Sequence, residues 1–224
     1  MPLQIQGNAG VVAEVDGVTF RALRVTPRPV DYGAFGIYSY GGSTGILPAA
    51  LAALSEVFQF RWVDATRLAA IRRVRLSASV TTTMFAAGVP VEIDMVKVTG
   101  WTGQGTLGTA PTIAAMLKCR TNMGASLVAA GDLRIATTAA LGAGTKTLET
   151  ISLRSIVAGG PITASLNGTI IAPGTLFWEA EPGDGGHPLI LAQNEGFVIR
   201  SVAVPATGTW RLAVMVDWAE LAAY

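Results

Sequence analysis

The sequence predicts an all-β protein, an antiparallel β-sandwich or barrel with one or two short helices. Three observations predict it. Apolar and polar residues alternate with a period of two along most runs, the spacing at which a strand buries one face. Turn residues separate those runs at short intervals, with 26 Gly and 11 Pro among 224 residues, and short strands so spaced indicate a sandwich or barrel. The alternation of strands and helices that a parallel sheet requires is missing. No run reads as a flexible linker, so residues 1–224 are expected to form a single domain.

Taken in order, residues 11–15 and 18–25 flank Asp16-Gly17, and Asp-Gly between two β-branched runs is a strong hairpin signal. Pro27 and Pro29 end the second of these strands. Residues 35–40 form a short aromatic strand closed by Gly41-Gly42. Over 56–63, EVFQFRWV places Phe58, Phe60 and Trp62 on one face and Val57, Gln59, Arg61 and Val63 on the other. Over 71–80, Val74, Leu76, Ala78 and Val80 share a face, and Arg73, Arg75, Ser77 and Ser79 share the opposite one. Residues 91–101 open with Val91, Ile93 and Met95 turned away from Glu92 and Asp94. Further strands are expected over 133–137, 147–157, 162–171, 176–179, 189–192, 196–204 and 209–218. The last two, joined by Pro205-Ala206-Thr207-Gly208, read as an antiparallel pair, the final strand lining one face with Trp210, Leu212, Val214 and Val216. Ala-rich composition favours short helices over 47–54 and 112–117. Residues 100–111 and 181–188 read as long exposed loops.

Charge narrows the function classes. Only 14% of the residues are charged and the net charge is +1, against roughly 25% charged in an ordinary soluble domain. A disordered tail needs low hydrophobicity and high charge, and a nucleic-acid binder needs an excess of Lys and Arg. Neither fits. A membrane helix needs about 20 apolar residues. Residues 46–54, uncharged and apolar, are interrupted by Pro48 despite a mean hydropathy of +0.47. A folded chain of this mass exposes about 9,700 Å², too much for so few charges to cover, so the surface is expected to be closed by further copies or by a partner. Arg outnumbers Lys thirteen to three, a bias that suits interfaces. The single Cys119 and single His187 exclude an internal disulfide framework, CxxC metal sites and multi-His sites. The start, MPLQIQGNAG, has no basic segment leading into an apolar core, so synthesis in a reducing cytoplasm is expected.

Several motifs invite chemistry. Gly41-Gly42-Ser43-Thr44-Gly45 matches GxSxG, and with Asp184 and His187 downstream it gives the chain order of a hydrolase triad. A parallel sheet to carry that elbow is absent, and Asp184 and His187 sit three apart in one Gly-rich loop, so Ser43 esterase activity is the weakest reading. Gly103-Gln104-Gly105-Thr106-Leu107-Gly108 matches GxGxxG. The strand before it carries Glu92 and Asp94, whereas a central dinucleotide-binding strand is apolar on both faces. Gly142 to Thr147 fails the P-loop spacing and reads as a turn before a strand at Leu148. Glu179, Glu181, Asp184 and His187 crowd one loop without EF-hand spacing and read as a solvated turn. No cofactor and no metal site are therefore assigned. Arg67, Arg72, Arg73 and Arg75 are the one local excess of charge, and they are the candidate partner interface, suited to bidentate pairing with an acidic protein surface.

The segments SEVFQFRWVDATRLAAIRRVRLSA, LGAGTKTLE and NEGFVIRSVAVPATGTWRLAVMVDWAE resemble segments of virion proteins of tailed bacteriophages. The closing segment, led by PLILAQNEG, is similar to the last strands of viral jelly-roll domains. The resemblance implies a jelly-roll-like sandwich and a structural, non-enzymatic role in the virion after synthesis in the bacterial cytoplasm. The leading expectation is a decoration or cement protein. It would be a homotrimer bound to the major capsid protein on the assembled head, without nucleic acid or membrane, with residues 1–10 as an arm ordered on assembly. A head-fibre, tail or host-attachment module is the alternative, with a glycan stacking on Trp101 or Trp178.

Overall fold

In the computed structural model the described residues are 36–85, 90–119, 121, 123–159, 168–180 and 188–222. The expected hairpin over 11–25, the arm over 1–10 and the acidic loop 181–187 lie outside them. The chain forms strands β1 (Gly36–Ser43), β2 (Leu47–Pro48), β3 (Ser55–Trp62), β4 (Leu68–Val80) and β5 (Val91–Gly103). They are followed by β6 (Leu117–Lys118), β7 (Leu133–Ile135), β8 (Thr145–Leu148) and β9 (Arg154–Ala158). The last are β10 (Thr169–Glu179), β11 (Leu189–Leu191), β12 (Glu195–Ala203) and β13 (Thr209–Leu221). All pairings between these strands are antiparallel.

Eight strands make the frame. One sheet runs β10-β4-β13-β1, the other β3-β12-β5 with β9 on the far side of β5. The partnering is nested: β1 with β13, β3 with β12, β4 with β10, β5 with β9. That is one long hairpin rolled up on itself, with its strands dealt to two facing sheets. The fold is a jelly roll. β6 and β2 extend the first sheet, while β7 and β8 extend the second.

Period-two alternation builds the core between the sheets. Val74, Leu76 and Val80 of β4 and Trp210, Leu212, Val214, Val216 and Trp218 of β13 are buried from one side. Phe58, Phe60 and Trp62 of β3 meet them from the other, with Ile93, Met95, Phe197 and Ile199. The sheets touch where Phe60 meets Trp218 edge to face, ring centres 5.3 Å apart, while Phe60 stacks on Phe197 at 5.5 Å. Such pairs add to plain burial.

A buried carboxyl fastens a loop to one end of the first sheet. Glu220 Oε1 accepts from Ser126 Oγ at 2.7 Å, Leu127 N at 2.9 Å and Trp218 Nε1 at 3.4 Å. The hydroxyl of Tyr38 donates to the carbonyls of Gly124 and Ala125. Glu220 is fully buried, its Oε2 has no hydrogen-bond partner, and burial pushes its carboxyl above the usual range.

Five expectations are corrected. Residues 47–54 are not a helix. Pro48 interrupts the segment, and Leu47 is buried by pairing with Trp210 instead; eight residues are too few for a helix to nucleate without such help. Residues 112–117 give only a 3₁₀ turn at Ile113–Ala115 before β6. The last two strands are not paired with each other. β12 already has β3 and β5 on its two edges, and β13 has β4 and β1, so the turn at 205–208 carries the chain from one sheet to the other. Residues 147–157 split into β8 and β9, whereas 176–179 belong to one bulged strand beginning at Thr169.

Candidate docking face

The outward side of the first sheet is built by the polar half of the same alternation. In register, Arg75 of β4 lies between Leu176 of β10 and Met215 of β13, and Met215 lies beside Gly41 of β1. Leu176 and Met215 are 50% and 45% exposed. Arg75 makes no hydrogen bond or ion pair with any described residue. The next row is neutralised. Arg73 Nε and Nη2 donate to Asp217 Oδ2 at 2.9 and 2.7 Å, and Glu179 stands 3.8 Å from Nη1. On the other side, Ser77 pairs with Ala213 and Ser79 with Arg211. There Thr169, Ile171 and Pro173 help to line a shallow groove of about 150 Å³. Arg211 Nε donates to the carbonyl of Thr44 at 3.2 Å. Around Arg75 the face is apolar and small-residued, and neither Arg75 nor Arg211 has a carboxylate partner among the described residues.

Of the four predicted arginines, the fold brings Arg73 and Arg75 onto this face. Arg72 is the extra residue of a bulge opposite Asp217 and Trp218; it is exposed and its carbonyl accepts from Ala180 N at 3.0 Å. Arg67 is half-buried in the loop before β4. Asp64 caps that loop, accepting from the backbone of Thr66 and Arg67, and these bonds hold its carboxyl below the usual range. The Arg67 carbonyl accepts from Trp62 Nε1 at 2.8 Å.

The chemical motifs are absorbed by the fold. Ser43 ends β1 opposite Ala213 and is exposed; the next element is the two-residue β2, not the helix of a nucleophile elbow. Gly103 ends β5, and the loop after it bridges Thr106 to Gly142 rather than opening directly into a helix. Trp101 is 1% exposed and packs beneath Lys146, which removes it as a glycan platform; Trp178 is half-buried against the core. Among the described residues no group of three His, Cys, Asp or Glu is placed to hold a metal ion, and no helix is long and apolar enough to cross a membrane.

The outward side of the second sheet carries polar groups that no sequence motif marks. There Trp101 folds over Val96, Val98 and Val198. Gly196 makes room for it: a Cβ at 196 would stand 2.9 Å from the indole and 2.2 Å from the Phe60 carbonyl oxygen. Arg200 pairs with Asp94, Nε to Oδ1 at 3.0 Å, and Ser152 adds a bond to Oδ2 at 2.8 Å. The Asp94 carboxylate raises the guanidinium's proton affinity further. Arg61 pairs with Asp132 at 3.1 Å, which also accepts from Gln104 Nε2 at 3.0 Å; burial nevertheless raises the Asp132 carboxyl. Glu56 and Gln59 share this side with Lys146. The sequence signal for this side is Asp94 set between Ile93 and Met95, and Arg200 directly after the apolar run Phe197-Val198-Ile199.

No family model matches this chain. No curated protein matches it. Among solved structures it is similar to the Merkel cell polyomavirus VP1 unassembled pentamer, with 10% identity and a TM-score of 0.36, over 87% of this chain and 98% of that chain. A likeness at that score carries no argument, and the jelly roll stands on the strand order.

Proposed function

We propose that this chain is a structural protein of a tailed-phage virion, a decoration protein that docks on the assembled head through the outward face of its first sheet. The row Leu176–Arg75–Met215–Gly41 carries the reading. Arg and Met are enriched at protein interfaces, and charges are sparse at their centres. A carboxylate on the major capsid protein, set among apolar side chains, complements this row through a bidentate bond to Arg75. Binding the assembled shell in preference to free subunits stabilises the shell by mass action. The resemblance of the three sequence segments to phage virion proteins supports the same reading. Copies of the chain associate with one another at the exposed apolar edge Ile151, Leu153 and Val157, 80%, 39% and 61% exposed. A homotrimer is the form expected.

The test is co-sedimentation with empty heads assembled from a tailed-phage major capsid protein. Arg75→Glu is expected to abolish head binding while leaving the thermal midpoint unchanged. Undiminished binding by this variant sinks the assignment of the face.

A further inference from the structure

The buried trio Glu56, Gln59 and Lys146 has the composition of a self-cross-linking site. A β-bulge at Val57 puts Glu56 and Gln59 on the same side of β3: Ile199 pairs with Phe58, and Arg200 with Glu56, so Val57 is the extra residue. Lys146 arrives from β8. One oxygen joins all three. Glu56 Oε2 accepts from Lys146 Nζ at 2.5 Å and from Gln59 Nε2 at 2.6 Å. The other amide hydrogen goes to the Gly142 carbonyl at 3.0 Å. The site is closed. The Lys146 and Glu56 side chains are 2% and 6% exposed and Gln59 is 1% exposed. The Trp101 ring lies 4.1 Å from Nζ. Gly105 seals the amide side: a Cβ there would fall 2.0 Å from Gln59 Oε1.

We propose that Lys146 and Gln59 form an isopeptide bond within the folded chain, with Glu56 as the proton shuttle. Glu56 Oε2 takes a proton from the Lys146 ammonium. The neutral Nζ attacks Gln59 Cδ, and the carbonyl π pair moves to Oε1. Glu56 returns the proton to Nε2, the Cδ–Nε2 bond breaks as the carbonyl reforms, and ammonia leaves with the second Nζ proton as ammonium. One C–N bond forms, one breaks, and no oxidant or co-reactant is needed. Three features of the site favour the step. Burial lowers the proton affinity of Lys146, which exposes the nucleophilic amine. A single carboxylate oxygen touches both the nitrogen that attacks and the nitrogen that leaves, the placement a general base turned general acid requires. Fixing amine and amide side by side away from water replaces a bimolecular encounter by an intramolecular one. Gln59 Oε1, moreover, is buried without a hydrogen-bond partner, an arrangement uncommon for an amide with a purely structural role. The product ties β3 to β8 and staples the outer layer of the second sheet.

Intact mass of the folded full-length chain tests it, followed by tryptic digestion. The expected mass is lower than that of the sequence by one ammonia. The digest is expected to contain a branched peptide joining the segment of Gln59 to that of Lys146, uncut at the acylated lysine. Lys146→Arg and Glu56→Gln are each expected to restore the full mass, with folding checked by circular dichroism. A folded wild-type chain of full sequence mass overturns the proposal. So does an ammonia loss that survives in Lys146→Arg, because it then belongs to a succinimide at Asn167-Gly168 or to another site.

Discussion

Gly196 and Glu220 show how single positions carry more than their size. At 196 any side chain meets the Phe60 carbonyl and the Trp101 ring. Gly196→Ala is therefore expected to cost about 2 kcal/mol, as overpacking does, and to shift Trp101 fluorescence to the red as the indole is pushed into water. Glu220 tests burial against charge. Its carboxyl holds its proton more tightly folded than unfolded. Its contribution to stability is thus fully present below the unfolded value of about 4.3 and is lost as pH rises through the raised folded value. The melting temperature of Glu220→Gln is expected to fall less than that of the wild type as pH is taken upward from about 4.3; parallel pH profiles would refute the assignment. The faces of β4 and β13 were legible residue by residue, because Val74 to Val80 and Trp210 to Val216 alternate without interruption. Glu56, Gln59 and Lys146 were not. The bulge at Val57 breaks the period that places Val57 with Gln59, turning Val57 into the core and Glu56 outward.

Individual strands were read more surely than their neighbours. β3, β4, β5, β12 and β13 stand close to where alternation puts them, since each is long enough for its pattern to outweigh local ambiguity. Pairing was misread for β12 and β13. Adjacency in sequence favours a hairpin, yet both strands are central and have no vacant edge for one another. The helices failed for a related reason: propensity is a weak prior, and Leu47 gains more from burial beside Trp210. Within the second sheet, β12 and β5 are cross-linked by the ion pair of Arg200 with Asp94, whose side chains are 13% and 4% exposed. Arg200→Met leaves that carboxylate buried without a countercharge, held only by the Ser152 hydroxyl, and urea denaturation is expected to show a loss of about 3 kcal/mol. The double replacement Arg200→Met with Asp94→Leu is expected to recover most of it.

For the whole molecule, low charge and exposed apolar edges predict association. Light scattering is expected to give a closed oligomer, and Ile151→Asp with Val157→Lys is expected to reduce it to the monomer mass. An unchanged mass would move the contact away from the β9 edge. Fold class was legible in the spacing of strands and turns. Strand order was not, because nested pairing joins residues as distant as Gly36 and Glu220, and no local pattern encodes so remote a partner. The same remoteness is expected to make refolding slow, on the order of seconds, since loop closure precedes any gain from pairing.

The central place of β13 bears on how the protein is made. Of the described strands, the one synthesised last lies between β4 and β1, and its predecessor β12 lies between β3 and β5. While a ribosome is still translating, both sheets have an empty middle and the edges of four strands stand open. The nascent polypeptide must stay unaggregated until residues through Leu221 have left the exit tunnel, and then the last two strands enter like a zipper's slider, closing both halves in one event.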